Sequence, residues 1–234
     1  VGRKQLLDDG IASTIGTNGK VNLVELVQAM QVAATRDIRG AKVLPSMLDV
    51  MGLQSNPRIS QALTVLSDWE AAGAHRRDLD GDGQYDNSAA VALMDAWWLK
   101  SLKAAFGPTL GSAFEAVPNS IDDKPGPGGS SYLEGWYGHL QKDLDSLRGS
   151  PVASPFSRAY CGNGSLTACR AALVASLSDA IATLETQFGT DPNTWNADEA
   201  GDKIAFSGLD LTGPKPMMWQ NRPTFQQVLE FDAP

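Results

Sequence analysis

Cysteine and histidine are scarce in this sequence of 234 residues, which contains two of each. With only His75 and His139 available, a Ser-His-Asp site is hard to assemble, and no Gly-x-Ser-x-Gly segment is present. The sequence also lacks an uninterrupted apolar run near the roughly 18 residues that a membrane helix needs. We therefore expect no membrane span and no self-contained catalytic constellation in this sequence.

Basic residues are outnumbered by acidic ones, with 19 Lys and Arg against 27 Asp and Glu and a formal net charge of −8. The densest basic pair, Arg76-Arg77, runs directly into a row of aspartates. An acidic surface repels the phosphate groups of nucleic acids, because both carry negative charge. We therefore expect no nucleic-acid partner.

Helical periodicity and helix-capping residues dominate the first 190 residues. Asn22 with Glu25 forms a capping box, and Asn56-Pro57 places a cap before a proline at the first helical position. Pro45 predicts a kink or a fresh helix start. The apolar face of the helix beginning at Ser88 includes Trp98. Trp97 and Trp98 together could form a ligand platform, but we interpret them as core packing. The predicted helices cover about 22–36, 39–51, 57–69, 88–106, 131–147 and 165–188.

Two short segments after residue 200 have the pattern of strands, Lys203–Phe206 and Phe225–Phe231. A pair of strands without further strands is only marginally stable in water. The sequence thus predicts an α+β fold with two parts. Residues 1–200 form a helical region, and residues 201–234 form C-terminal strands that complete a sheet supplied by other sequence.

An acidic loop interrupts the helices at residues 78–89. Its carboxylates stand at positions 1, 3, 5 and 9 of a calcium loop, with Gly83 at position 6 and the carbonyl of Gln84 at position 7. Position 12 is Ala89, so the usual bidentate glutamate is missing or comes from elsewhere. The alternative is a solvated acidic turn. We expect structural Ca²⁺, with the ligands Asp78, Asp80, Asp82, Gln84 and Asp86.

Cys161 and Cys169 are separated by seven residues, which include a turn-forming Gly-Asn-Gly-Ser segment. Metal binding would require two further ligands nearby, and a redox pair is more often separated by two residues. We predict a disulfide, worth about 2–3 kcal/mol in the chain-entropy model. The alternative is two buried free thiols. A disulfide implies an oxidising, extracytoplasmic compartment.

Four stretches of this sequence resemble the penicillin acylase family of N-terminal-nucleophile hydrolases. The C-terminal one is WQNRPTFQQVLEF, at Trp219–Phe231, with the Gln-Asn-Arg-x-Thr pattern found near the end of the family's large chain. The other three fall in the family's order and are VLPSMLDVMG, LSDWEAAGAHRRDLDGDGQYDNSAAVALMDAWWLKSL and LETQFGTDPNTWN. Aculeacin-type and acyl-homoserine-lactone acylases are similar to the same extent.

This resemblance implies a precursor that cleaves itself into a small and a large chain. Cleavage frees a Ser whose own α-amine acts as the base, and an Asn side chain with a backbone N–H stabilises the oxyanion. Val1 cannot be that nucleophile. The order of the matching stretches assigns the sequence to the C-terminal part of the large chain, so we expect no catalytic residue here and no activity of this chain alone.

The resemblance also implies the partners and the architecture. The expected partners are the remaining chains or segments of the acylase precursor and a small acyl amide, such as a β-lactam, a lipopeptide or a homoserine lactone. The region would pack around an αββα sandwich, with Asn221 and Arg222 fixing the strand that returns to it. The alternative function is a non-catalytic, calcium-stabilised helical interaction module similar to a dockerin, although a dockerin normally has two calcium loops.

Overall fold

The computed structural model describes residues 2–15, 19–116, 136–203 and 215–220. Within these ranges the chain is mostly helical and contains no strand. The predicted strand at 225–231 and the pair Asn221 and Arg222 lie outside the described residues, as does the predicted strand at 203–206 apart from Lys203. The helical part of the predicted fold is therefore confirmed.

Nine α-helices follow one another along the described chain, together with a π-helical turn before the third and two 3₁₀ turns on either side of the eighth. They are α1 (Gly2–Thr14), α2 (Leu23–Thr35), the π turn (Arg39–Val43), α3 (Leu44–Met51), α4 (Pro57–Ala71), α5 (Ser88–Leu110), α6 (Ser112–Ala116), α7 (Trp136–Leu147), a 3₁₀ turn (Cys161–Gly164), α8 (Leu166–Phe188), a 3₁₀ turn (Pro192–Thr194) and α9 (Glu199–Asp202).

The helix starts follow from the capping residues. The side chain of Asn22 accepts from the Glu25 N–H, and Glu25 Oε2 accepts from the Asn22 N–H, both at 2.9 Å. Asn56 caps α4 in the same way by accepting from the Arg58 N–H at 3.0 Å. Pro45 lies in the first turn of α3, which continues directly from the π turn with Val43 and Leu44 in helical conformation, so it marks a change of helix type within one continuous helical stretch.

Helices α5 and α8 form the most extensive helix–helix contact and carry the centre of the core. Trp97 and Trp98 are fully buried on α5, and Trp97 Nε1 donates to Ser176 Oγ of α8 at 2.9 Å. A buried indole N–H usually has such a partner, whereas Trp98 Nε1 makes no hydrogen bond within the described residues. The interpretation of this helix face as core packing is therefore right.

Helix α8 is, by length and composition alone, apolar enough to cross a membrane. Its Leu173, Leu177 and Ile181 side chains are fully buried in the core. Charged residues interrupt the apolar sequence, among them Arg170, whose Nε donates to the Val50 carbonyl at 2.8 Å. We interpret α8 as a core helix, as expected from the sequence.

The predicted disulfide between Cys161 and Cys169 is present, with the two Cα atoms 4.9 Å apart and both side chains buried. Ser165 caps α8 directly after it by accepting from the Ala168 N–H. The buried carboxylate of Asp143, on α7, accepts from the Cys161 N–H at 2.7 Å. The disulfide loop is thus fixed both to α8 and to α7.

Candidate functional site

The acidic loop at residues 78–86 connects α4 to α5 and is closed by a hydrogen bond from the Asp86 N–H to the Arg77 carbonyl, at 2.9 Å. Its aspartates accept hydrogen bonds from the loop's own backbone. Asp78 accepts from the N–H groups of Gly81 and Gly83 at 2.7 and 2.9 Å, and Asp86 accepts from the Leu79 N–H at 2.9 Å. These bonds wrap the backbone around the carboxylates.

Three of the five predicted calcium ligands converge in this loop. One carboxylate oxygen from each of Asp78, Asp80 and Asp86 lies within 4.8 Å of the other two. Two oxygens that each bind one Ca²⁺ at about 2.3–2.6 Å stand at most about 5 Å apart. Asp82, whose Oδ1 accepts from the Gln84 N–H at 2.8 Å, lies outside this convergent group. The spacing and the all-oxygen donor set fit calcium.

The charge state of the loop favours a cation. Partial burial acts to raise the pKa of Asp78, but the N–H groups of Gly83 and Gly81 outweigh it and lower the pKa. The first carboxylate of the loop is therefore held in its ionised form.

A second cluster of charged side chains lies directly beneath the loop, and we call it the buried network. Arg76 Nε donates to Asp37 Oδ2 at 3.0 Å, Arg76 Nη1 donates to Asp202 Oδ2 at 2.7 Å, and Arg76 Nη2 pairs with Asp95. Arg39 Nη2 donates to Asp95 Oδ1 at 2.7 Å. The members are Asp37, Arg39, Arg76, Asp95 and Asp202, and all except Asp95 are almost completely buried.

The buried network shifts the pKa values of Asp37 and Asp202 in opposite directions. Burial acts to raise the pKa of Asp37, but Arg39 and Arg76 outweigh it and keep that pKa well below the usual range. Burial raises the pKa of Asp202, with Arg76 opposing and Asp95 adding to the shift. A buried charge is tolerated only when it is paired and hydrogen-bonded, so Asp37 depends on its two arginines.

Tyr85 joins the acidic loop to the buried network. Its hydroxyl donates to Asp202 Oδ2 at 2.8 Å, and burial, followed by the charge of Asp202, raises the Tyr85 pKa. The Trp219 ring lies 5.1 Å from Arg76 Cζ. The network therefore brings the loop, α9 and residues 215–220 to one place in the fold.

Sequence reasoning missed this network. Its only signal in the sequence is the Arg76-Arg77 pair before the aspartates, which by itself indicates no more than a local basic charge. The Arg76 partners Asp37 and Asp202 lie 39 and 126 residues away along the chain, and no local sequence pattern predicts these contacts.

The two histidines do not form a hydrolytic site with the residues that the structure describes. His75 Nδ1 lies 2.8 Å from Thr35 Oγ1, but burial, followed by the charges of Arg77 and Arg36, lowers its pKa to about 4. A general base must become a cation during catalysis, and these neighbours oppose that. His139 packs against Trp136 in an aromatic cluster. The expectation of no catalytic residue in this sequence stays a prediction.

Comparison with known proteins assigns the chain to a family. No curated protein matches it. The family model described as penicillin amidase matches residues 2–217, which cover nearly the whole sequence, including the acidic loop and the buried network. The chain therefore belongs to the penicillin amidase family.

Proposed function

We propose that this chain is the C-terminal part of the large chain of an acylase that hydrolyses the amide bond of an N-acyl substrate. The match to the penicillin amidase family over residues 2–217 carries this proposal. The substrate would be a β-lactam, a lipopeptide or an acyl-homoserine lactone, as the resemblance implies.

In this proposal the nucleophile comes from another segment of the same precursor. The described residues form a helical body held by a buried ion-pair network, and their histidines are placed for packing. An N-terminal Ser outside these residues would attack the acyl carbonyl with its own α-amine as base. The residues after 200, with Asn221 and Arg222, would return to the αββα sandwich and hold its last strand in place.

The disulfide supports an extracytoplasmic location. Disulfides persist in oxidising compartments and are rare in the cytosol, where thiols are kept reduced. The buried Cys161–Cys169 bond is the observation behind this part of the proposal. The acylase would accordingly be periplasmic or secreted.

The acidic loop would hold a structural Ca²⁺. The residues Asp78, Asp80 and Asp86 supply converging oxygens, and Asp82 and the Gln84 carbonyl would complete the loop's share of the ligands. The ion would neutralise carboxylates that otherwise repel one another, and it has no part in the amide hydrolysis itself.

The alternative, a calcium-stabilised interaction module, would need only the loop and its two flanking helices. The family match extends far beyond that unit, to residues 2–217, and therefore favours the acylase.

The test combines the mass of the native assembly with an amidase assay. We expect the purified native protein to contain additional polypeptide, including one chain that begins with Ser. A chromogenic phenylacetyl or long-chain acyl amide should be turned over by the assembly, and replacing that Ser by Ala should abolish turnover. Turnover by this chain alone, or a functional assembly without such a Ser, would overturn the proposal.

A further inference from the structure

Helix α2 exposes its larger apolar side chains to solvent on one side. Leu23 is 38% exposed, Val24 64%, Val27 38% and Val32 41%. At 100° per residue these four lie on one half of the helix together with Gln28 and Gln31, which are exposed and uncharged. We call these six residues the α2 face. The one charged residue in the sequence of α2, Glu25, belongs to the capping box at the helix start. The α2 face is therefore uncharged and largely apolar, on a chain with a net charge of −8.

The opposite side of α2 packs on the chain's own body with small side chains. Ala29, Ala33 and Ala34 are buried there, and Leu6 of α1 packs against Ala33. Gly10 of α1 lies so close that a Cβ added to it would be 3.4 Å from the Ala29 carbonyl oxygen. A surface helix normally buries its larger apolar side chains, because that removes more apolar area from water. In α2 this order is reversed, and the helix cannot rotate to correct it without separating Gly10 from Ala29.

The C-terminal end of α2 lies beside the last segment that the structure describes, residues 215–220. The Arg76 N–H donates to the Thr35 carbonyl at the end of α2, at 2.8 Å, and the Trp219 ring lies 5.1 Å from Arg76 Cζ. In the proposed function the chain returns from this segment to the sandwich formed by the rest of the acylase. Helix α2 therefore ends next to the place where that other polypeptide is expected.

The size of the α2 face argues against a second copy of this chain as its occupant. Helix α2 has 13 residues. It is therefore about 20 Å long, and with a width of about 10 Å one side of it has a footprint of roughly 200 Å². A stable complex buries about 800 Å² on each partner, so this face alone is too small to hold a dimer together. A segment of the same assembly needs no such area, because its other contacts already hold it nearby.

We propose that the α2 face is the contact surface for a segment of the acylase precursor that lies outside this chain, and that this segment covers Val24 and Val27 with apolar side chains. The inference rests on the proposed function, since it requires such a polypeptide, and it adds where that polypeptide binds. The chemistry of the partner follows from the missing charge on the face. A charged group buried against it would lose its hydration without gaining a partner, so the covering surface is apolar and uncharged.

The first experiment measures thiol labelling by a maleimide in the native assembly that contains this chain. Val24→Cys places a small side chain on the α2 face, and Leu53→Cys is the control at a fully exposed leucine between α3 and α4. The chain's own cysteines form a disulfide and do not react, and the unmodified assembly gives the background. We expect Val24→Cys to react about tenfold or more slowly than Leu53→Cys, because labelling requires a solvent-accessible thiolate. Equal rates would overturn the proposal.

The second experiment identifies the occupant by photo-cross-linking from a benzophenone-bearing phenylalanine analogue that replaces Gln28. A cross-linked peptide from polypeptide outside this sequence supports the proposal. A peptide from within residues 1–234, whether from a second copy or from the same chain, overturns it. If the assembly contains the chain that begins with Ser and hydrolyses the acyl amide, but the α2 face labels freely, the proposed function stands and the contact surface is wrong. If the native protein contains no additional polypeptide, both are wrong.

Thermal unfolding of the native assembly gives a third readout. Val24→Lys places a charge where the other polypeptide is expected, so the melting temperature should fall by about 5 °C or more. Leu53→Lys is the matched control, and as a change at a fully exposed position it should leave the melting temperature almost unchanged. Since Val24 is mostly exposed to solvent within this chain, a large effect of Val24→Lys requires a partner outside it. Melting temperatures that do not differ between the two variants would overturn the proposal.

Discussion

Arg76 donates from Nη1 to Asp202 Oδ2 at 2.7 Å and so connects residues that are 126 positions apart in the chain. The same guanidinium donates from Nε to Asp37 at 3.0 Å. One buried side chain thus holds together the α2–α3 connection, the base of the acidic loop and α9.

Replacing Arg76 by methionine should therefore destabilise the fold strongly. The change leaves the carboxylates of Asp37 and Asp202 buried with one cation fewer, and breaking a buried pair in this way costs about 3–5 kcal/mol. Denaturant unfolding measures the loss. The adjacent Arg77→Met is the control, since Arg77 is only half-buried, and should cost less than about 1 kcal/mol. Equal effects of the two substitutions would contradict the importance given to the buried network.

The disulfide should contribute about 2–3 kcal/mol to the free energy of unfolding, as expected for so short a loop. The double variant Cys161→Ala, Cys169→Ala measures this contribution by denaturant titration. Counting thiols after denaturation without reductant checks the bond itself, and no free thiol should be found. A count of two would show that the protein contains the reduced cysteines.

Gly162, in the disulfide turn, should not tolerate a side chain. Its φ is +60°, and an added Cβ would lie 2.3 Å from the Cys169 backbone nitrogen, which cannot move away without distorting α8. Gly162→Ala combines the left-handed penalty of about 1–2 kcal/mol with an overpacking cost of about 1–3 kcal/mol.

Gly164→Ala is the matched control for this prediction. Gly164 also has a positive φ, of +86°, but an added Cβ would meet only the Ala159 Cβ at an ordinary 3.6 Å. It should carry the left-handed penalty alone. The difference between the two variants in denaturant unfolding isolates the steric clash, and no difference would mean that the turn is looser than described.

The sequence predicted the local features of this fold correctly because their causes are local. The Asn22–Glu25 capping box and the Asn56-Pro57 start act over three residues, and both mark a helix where expected. Leu166 shows the limit of helical periodicity: it shares the spacing of the buried Leu173 and Leu177, but it stands in the first turn of α8 and is 38% exposed. Helical spacing predicts the direction in which a side chain points, but not whether another part of the fold buries it.

The candidate site was predictable only in its loop. The carboxylates of residues 78–86 share one turn, so their convergence follows from spacing. Asp202 meets that loop, through the Tyr85 hydroxyl, only because tertiary packing brings distant segments together, and Asp82 accepts a hydrogen bond from the Gln84 N–H that spacing does not reveal. Tertiary packing decides such contacts, and a single sequence contains no local record of them.

Stability should fall as the pH is lowered from about 6.5 to about 4, and His75 should be the main cause in this window. Burial, with the charges of Arg77 and Arg36, lowers its pKa from 6.5 to about 4. Between these values the unfolded chain binds a proton that the folded chain does not, so acid favours unfolding. The shift corresponds to a loss of up to about 3 kcal/mol.

The variant His75→Asn tests this, because an asparagine amide can stand in for Nδ1 beside Thr35 Oγ1 and does not titrate. Denaturant unfolding at a series of pH values should show a nearly flat stability from about pH 6.5 to about pH 4 in His75→Asn and a decline in the unmodified protein. His139→Asn should keep most of the decline, since His139 is more exposed, although burial lowers its pKa in the same direction. Below about pH 4 all three proteins should lose stability together, because Asp37 binds a proton in the unfolded chain at its ordinary pKa, whereas Arg39 and Arg76 keep it ionised in the folded chain. A decline of unchanged size in His75→Asn would show that other groups control stability in this range.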